Sequence, residues 1–379
     1  MRRWVATVAA GLLLLAACSK GTTASQSASS GGIAQASLDA VKAELDKRTG
    51  LPAFVPPGPA FDAAKARGKT VFNIPDSSAN PFAQSIAAGE QAAAKLLGIN
   101  FVSCADQGQV AQWAQCFGQG IQRKADVIND FGGVDPRVVG PQIKAAQKAG
   151  IPVVATHVYG YSQAPQYVNT SIPAPYEEAG RLMADWVVLD TRGNADVLVI
   201  TSNEVLGTPP IVSGLKAVFG QYCPTTCHLT FVNVPVADWS TKIQTEVQSN
   251  LTRNPKINYV IPIYDSMSQF VVPAITAAGK VGKVFISTFN GTPFVLGYLQ
   301  SGQIVRMDIG ENLDWVGWAI MDADARVLAG DRLPATFDEH FALRVFTKDN
   351  VKEAGVPPQL STGYGTAYVD GYKSLWGTA

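Results

Sequence analysis

The sequence predicts an α/β protein built of two doubly wound parallel-sheet lobes, and three observations carry that reading. From residue 69 onward short apolar runs alternate with segments of helical period. The runs are continuously apolar rather than alternating, which marks strands covered on both faces and hence parallel sheets between helices. The scheme runs through once to residue 156 and again to residue 288, so two such sheets are expected. The 379 residues suffice for two or three units at about 150 residues each. With 47% apolar and 16% charged residues, the chain is far from a disordered composition. Its 30 basic residues only balance its 30 acidic ones, so no basic excess exists to condense on nucleic acid. Three histidines rule out a His-rich metal site, and neither metal nor cofactor is expected.

The chain starts with Arg2 and Arg3, an apolar run over 4–15, and Leu15-Ala16-Ala17-Cys18. A basic start, a short apolar core and small residues before a cut describe a secretory signal over 1–17. The run is shorter than the roughly 20 residues a spanning helix needs. A Cys after Leu-Ala-Ala resembles the bacterial lipobox, which implies that Cys18 is acylated and becomes the new N-terminus. Acyl chains tether a protein through about 0.8 kcal/mol per buried CH₂. The expected location is therefore the outer face of the cell membrane, or the periplasm. Losing Arg2 and Arg3 leaves 28 basic against the 30 acidic residues, a slightly negative mature chain. Residues 18–68 read as a lipid-anchored linker: a small, polar stalk over 19–37, a short helix over 38–48 with Val41 and Leu45 four apart, and a proline-rich stretch over 52–59.

The alternation then follows in order. Strands are expected at 70–74, 100–103, 126–129 and 151–156, with helices at 83–97, 110–123 and 138–149, the last stopped by Gly150. The second round places helices at 177–190, 211–219, 240–250 and 266–278, and strands at 197–201, 229–234, 259–263 and 284–288. Four cysteines remain after Cys18. In an oxidising compartment their proximity favours Cys104–Cys116 and Cys223–Cys227, although four cysteines allow three pairings, and no Cys-x-x-Cys doublet suggests zinc.

In open parallel sheets ligands sit beyond the carboxyl ends of the strands. Those ends read Ile74-Pro75-Asp76, Asn129-Asp130-Phe131, Thr156-His157, Thr201-Ser202-Asn203, Ile263-Tyr264-Asp265 and Phe289-Asn290-Gly291. No phosphate-cradling Gly-x-x-x-x-Gly-Lys, dinucleotide Gly-x-Gly-x-x-Gly or Gly-x-Ser-x-Gly elbow is present. Asp76, Asp130, Asp265 and Glu311 either pair as acid and base, as glycosidases do, or accept hydrogen bonds from a ligand or from water. An enzyme is not expected.

Several motifs, in order, resemble type I periplasmic binding proteins of the ribose- and galactose-binding kind. They are Asn80-Pro81-Phe82 after the first strand, residues 135–154, Ala237-Asp238-Trp239, Tyr264-Asp265, and Phe289-Asn290-Gly291-Thr292-Pro293. The resemblance covers about residues 69–345 and implies a three-strand hinge between the lobes. The expected first lobe is 69–170 with 311–341, and the second is 171–310 with 342–379. The resemblance also implies a small solute gripped between closing lobes and handed to an ABC transporter permease. LacI-type repressors share the fold, but an exported chain without a helix-turn-helix does not fit them. Such a site needs aromatic faces and planar polar groups, and the resemblance puts Phe82 and Trp239 at the two stacking positions.

The departures count equally. His157 and Val158 stand where ribose binders carry an Asp-Arg pair. A second family arginine on the helix after Gly207-Thr208 falls near Ile211. Tyr264 replaces an Asn, Asn290 an Asp, and Glu311 a Gln. Losing two guanidinium forks argues against ribose. The candidate ligand-binding set is Asp76, Asn80, Phe82, Phe131, His157, Thr208, Ile211, Trp239, Tyr264, Asp265, Asn290 and Glu311. It suits a neutral sugar, polyol, cyclitol or nucleoside-like solute, bound by a monomer. Trp113 and Gln112, on the helix after Cys104, either lie near the mouth of the site or, as the favoured reading, serve structure on a helix pinned by the first bridge, and Trp315 and Trp318 read as core. Two rival functions share these features: a sensor presenting its ligand state to a membrane receptor or kinase, and a glycoside-active enzyme on a similar scaffold.

Overall fold

The apolar runs form two separate sheets, each with helices on both faces. The computed structural model describes residues 32–132 and 134–378, so the signal segment, Cys18 and the stalk before residue 32 lie outside the described residues. Both sheets belong to the unit Ile33–Ala379.

After a first helix, α1 (Gln35–Asp46), the first lobe is laid down as β1 (Thr70–Ile74), α2 (Pro81–Leu97), β2 (Asn100–Ser103), α3 (Val110–Gln122), β3 (Val127–Phe131), α4 (Gly140–Lys148), β4 (Val153–Gly160) and β5 (Thr170–Ala174). Its all-parallel sheet has the order β2-β1-β3-β4-β5. The second lobe continues with α5 (Tyr176–Thr191), β6 (Ala195–Thr201), α6 (Thr208–Tyr222), β7 (Cys227–Asn233), α7 (Trp239–Arg253), β8 (Tyr259–Pro262), α8 (Ser268–Ala277), β9 (Phe285–Asn290), α9 (Pro293–Ser301) and β10 (Val305–Glu311). After it come α10 (Leu313–Ala329), β11 (Leu343–Thr347) and α11 (Ala367–Trp376). The second sheet is ordered β11-β10-β9-β8-β6-β7, parallel except where β11 runs against β10. Two sheets with helices on both faces are the two-lobed architecture the sequence predicts.

Local chemistry sets the elements that matter for the cleft. α2 starts where Asn80 caps it, accepting from the Phe82 N–H at 3.0 Å, with Pro81 in the first turn and Gly98 closing it in the left-handed region. The Cys104–Cys116 and Cys223–Cys227 disulfides are both formed. The first ties α3 to the end of β2, and the second closes the turn from α6 to β7. α5 and α6 pack backbone to backbone because Gly180 and Gly214 carry no side chain: a Cβ on Gly214 would lie 2.2 Å from the Glu177 carbonyl.

The chain passes between lobes at Pro175, at Asn312 and along residues 330–342. α10 then packs on α2, back in the first lobe. The second lobe does not hold all of 342–379 as expected. β11 joins its sheet, but α11 packs on α10, with Trp376 stacked on Trp318 at 5.3 Å and its Nε1–H on Asp322 at 2.7 Å. Trp315 and Trp318 are buried here, in the core. β5 has no counterpart in the sequence pattern, because a five-residue strand containing Pro173 carries little signal; proline is tolerated there since β5 is an edge.

Residues 33–66 are no linker. Leu38, Val41 and Leu45 are buried where α1 lies on α5. The Arg48 carbonyl accepts from Val345 N–H at 2.8 Å, Phe54 packs on Trp315 and Tyr372, and the Pro59 carbonyl accepts from Arg326 at 2.9 Å. The segment therefore straps the second lobe to the first. Its few apolar residues, split by prolines, bury one at a time against distant elements, a pattern without a period to read.

The interlobe cleft

The cleft is assembled from the carboxyl ends of both sheets and closes around a small cavity of about 30 Å³. The first lobe lines it with Asp76, Asn80, Phe82, Gly132 and His157. Tyr176, Val205, Val236, Trp239, Tyr264, Ser266 and Asn290 line it from beyond the Pro175 crossing. No Lys or Arg is among the lining residues.

Phe82 is 7% and Trp239 8% exposed, each facing the cavity from its own lobe. Phe82 stacks on Phe131 with ring centroids 5.8 Å apart and planes 18° apart, so Phe131 supports it from behind instead of lining the cavity. Trp239 spends its indole N–H on Ser202 Oγ at 2.8 Å and the Val234 carbonyl at 3.1 Å, which fixes its ring beside Tyr264. The Tyr264 hydroxyl is buried and has no hydrogen-bond partner.

His157 has φ +60°, in an irregular stretch of β4 where the register with β5 shifts between Thr156 and Gly160. Such irregularities re-aim side chains beside functional sites. Its Nδ1 lies 2.8 Å from the Tyr176 hydroxyl and its Nε2 2.8 Å from Glu311. Tyr176 donates its own proton to the His157 carbonyl, so its oxygen is left to accept from Nδ1–H. The contact from Nε2 to Glu311 then needs one more proton, and the histidine–glutamate pair carries no net charge. Glu311 also accepts from Asn290 Nδ2 at 2.8 Å, which places it behind the cavity wall.

Asn80 does three jobs. Its Oδ1 caps α2 and also accepts from Ser266 Oγ of the second lobe, a bond that spans the cleft. Its Nδ2 donates to Asp76 Oδ2 at 3.0 Å. Asp76 Oδ1 has no partner. Burial pushes the Asp76 carboxyl up to about 7, against the downward pull of hydrogen bonds from the Ser77 backbone and Asn80. Trp113 donates its indole N–H to the Asp76 carbonyl at 3.2 Å, a structural role on the pinned helix α3, and Gln112 accepts from Gln107 N–H.

The remaining candidates stand outside the cavity wall. Ile211 is fully buried where α6 meets Gly180 of α5. Thr208 donates to the Ser202 carbonyl at 2.6 Å at the start of α6. Asp265 accepts from Thr292 N–H and Oγ1, both at 2.7 Å, and faces Asp308, which accepts from Gly291 N–H. Burial pushes Asp265 up to about 6 and raises Asp308 well above the usual carboxylate range, with Asp265 adding to the latter. These carboxylates brace the strand ends. Phe131 and Asp265 are next to lining residues and Thr208 is one turn from Val205, so the motifs fall in the right place while the facing of these side chains does not follow from them. Gly132, Tyr176, Val205, Val236 and Ser266 are absent from the sequence-based set; Gly132 and Ser266 carry a cue, since they follow Phe131 and Tyr264-Asp265.

Among the described residues no cluster of three or more metal-ligating side chains occurs, and no helix is long and apolar enough to cross a membrane.

A model of the periplasmic binding protein domain matches residues 71–332. No curated protein matches the chain. Among solved structures, the chain is similar to a 5-methylthioribose transporter solute binding protein from Thermotoga lettingae in complex with 5-methylthioribose. That pair shares 18% identity at a TM-score of 0.70, covering 84% of this chain and 98% of the other. It is also similar to an ABC transporter solute binding protein from Agrobacterium vitis bound with alpha-D-tagatopyranose, at 19% identity and a TM-score of 0.68, covering 76% and 97%. A second Agrobacterium vitis protein, with bound allitol, has 18% identity and a TM-score of 0.66, covering 76% and 98%.

Proposed function

The chain belongs to the periplasmic binding protein domain family, and from that premise we propose that it is the solute-binding component of an ABC importer. It takes a small sugar-like molecule between its lobes and delivers it unchanged to a membrane permease. The observation that supports this most is the cleft itself: each lobe contributes an aromatic ring and a set of planar polar groups to one cavity. Pentoses, hexoses and polyols present that pairing of apolar C–H faces and hydroxyl edges. The sugars and polyol in the similar structures support the same class. Hydrolysis by paired carboxylates is disfavoured because Asp76 is the one carboxylate lining the cavity. Acylation of Cys18 would hold the protein at the outer membrane face beside its permease; it is part of the proposal and is checked by mass spectrometry of the mature N-terminus.

A thermal-shift screen across sugars, polyols, nucleosides and small aromatics tests the reading. A ligand at a hundred times its dissociation constant adds about 2.7 kcal/mol of apparent stability. Stabilisation by one compact polyhydroxylated class is expected. A screen in which no such compound raises the melting temperature removes the proposal, and conversion of the solute to a product replaces it with an enzyme.

A further inference from the structure

We infer that the solute carries a basic amine: an amino sugar or amino polyol whose ammonium group lies against Asp76 and the aromatic faces of the cleft. This rests on the cleft being the solute site.

The charge inventory of the cavity carries the argument. Asp76 is its one lining carboxylate and is buried, with neutral donors alone beside it, the Asn80 amide on Oδ2 and the Ser77 backbone N–H. No lining residue is a Lys or Arg. His157 brings no free positive charge, because Glu311 behind it makes the pair neutral overall. The charged groups farther out are acidic as well, Asp106 near Asp76 and Glu204 near Tyr264. Asp76 Oδ1 is already enclosed by the protein and out of contact with solvent. A neutral hydroxyl leaves the ionised form of Asp76 without a countercharge, so with such a solute burial holds the proton on the acid. An ammonium supplies both a charge-assisted hydrogen bond and the missing countercharge. The indole of Trp239 faces the same cavity with its N–H already used, so it offers π surface, and Phe82 offers a second ring. Cations are attracted to such faces. An anionic solute meets no cationic partner anywhere on the wall.

The test uses matched pairs on the full chain by titration calorimetry at pH 7.5: glucosamine with glucose and N-acetylglucosamine, galactosamine with galactose, and 1-amino-1-deoxysorbitol with sorbitol. In at least one set the amine is expected to bind ten times or more tighter than its neutral partners. Asp76→Asn is expected to bring that ratio to within about threefold of one. Neutral members that equal or outbind the amine in every set overturn the inference while the solute-binding reading stands. So does an amine preference that survives Asp76→Asn. If this variant does not fold, the wild-type pairs decide alone. Should neither these compounds nor any of the wider screen bind, the function proposed for the cleft falls as well.

Discussion

Trp239 shows how much one side chain in the cleft has to do. Its indole nitrogen is tied to Ser202 and Val234, so the ring is held at a fixed angle and little rotamer freedom is lost when a solute arrives. Trp239→Ala is expected to weaken solute binding at least tenfold, about 1.4 kcal/mol. An unchanged calorimetric affinity would take Trp239 out of the site. Asn80 works differently, joining a helix cap to a bond across the cleft. Asn80→Ala is expected to cost about 1 kcal/mol through the cap alone and to weaken binding further through lost closure. A variant with wild-type melting temperature and affinity contradicts both roles. At this scale the sequence is informative where a residue type is unusual for its place: an aromatic after a strand, a polar residue at a sheet's carboxyl edge. It is silent where facing depends on backbone detail, as with Asp265, which turns toward Thr292 and Asp308.

Among the elements, the close α5–α6 contact is the most exacting. Its glycines let backbone approach backbone, and an added methyl on Gly214 meets the Glu177 carbonyl with no flexible side chain to move aside. Overpacking of this kind costs on the order of 1–3 kcal/mol. Gly214→Ala is expected to lower the denaturation midpoint accordingly, with unchanged stability arguing that the two helices slide apart cheaply. Most elements are legible because amphipathic helices and doubly buried strands impose a period on the sequence. The placements of α1 and α11 are not, and for a common reason: both are short and dock on elements far away in sequence, α5 and α10. Nothing local encodes which lobe receives such a helix.

The whole molecule buries an unusual number of carboxylic acids with few cations beside them. Burial pushes Asp76, Asp185 and Asp324 each up to about 7 and Asp265 to about 6. Glu90, Asp130 and Asp308 are raised well above their ordinary range by the same cause. Each group binds its proton more tightly folded than unfolded. The stability it lends is complete below about pH 4 and is lost as pH rises through the folded values. The ligand-free protein is therefore expected to melt at a higher temperature at pH 5 than at pH 8. A flat or rising melting temperature over that window would show these acids to be already compensated. The two-lobed architecture is legible at this scale, since a β-α alternation repeated twice has few other solutions.

The strap is also a tether. The described chain joins the fold at Ile33, whose N–H is held by the Arg192 carbonyl at the end of α5. One segment is thereby pinned at both ends to different lobes, through Ile33 and Arg48 to the second and through Phe54 and Pro59 to the first, so its length limits how far the two can separate.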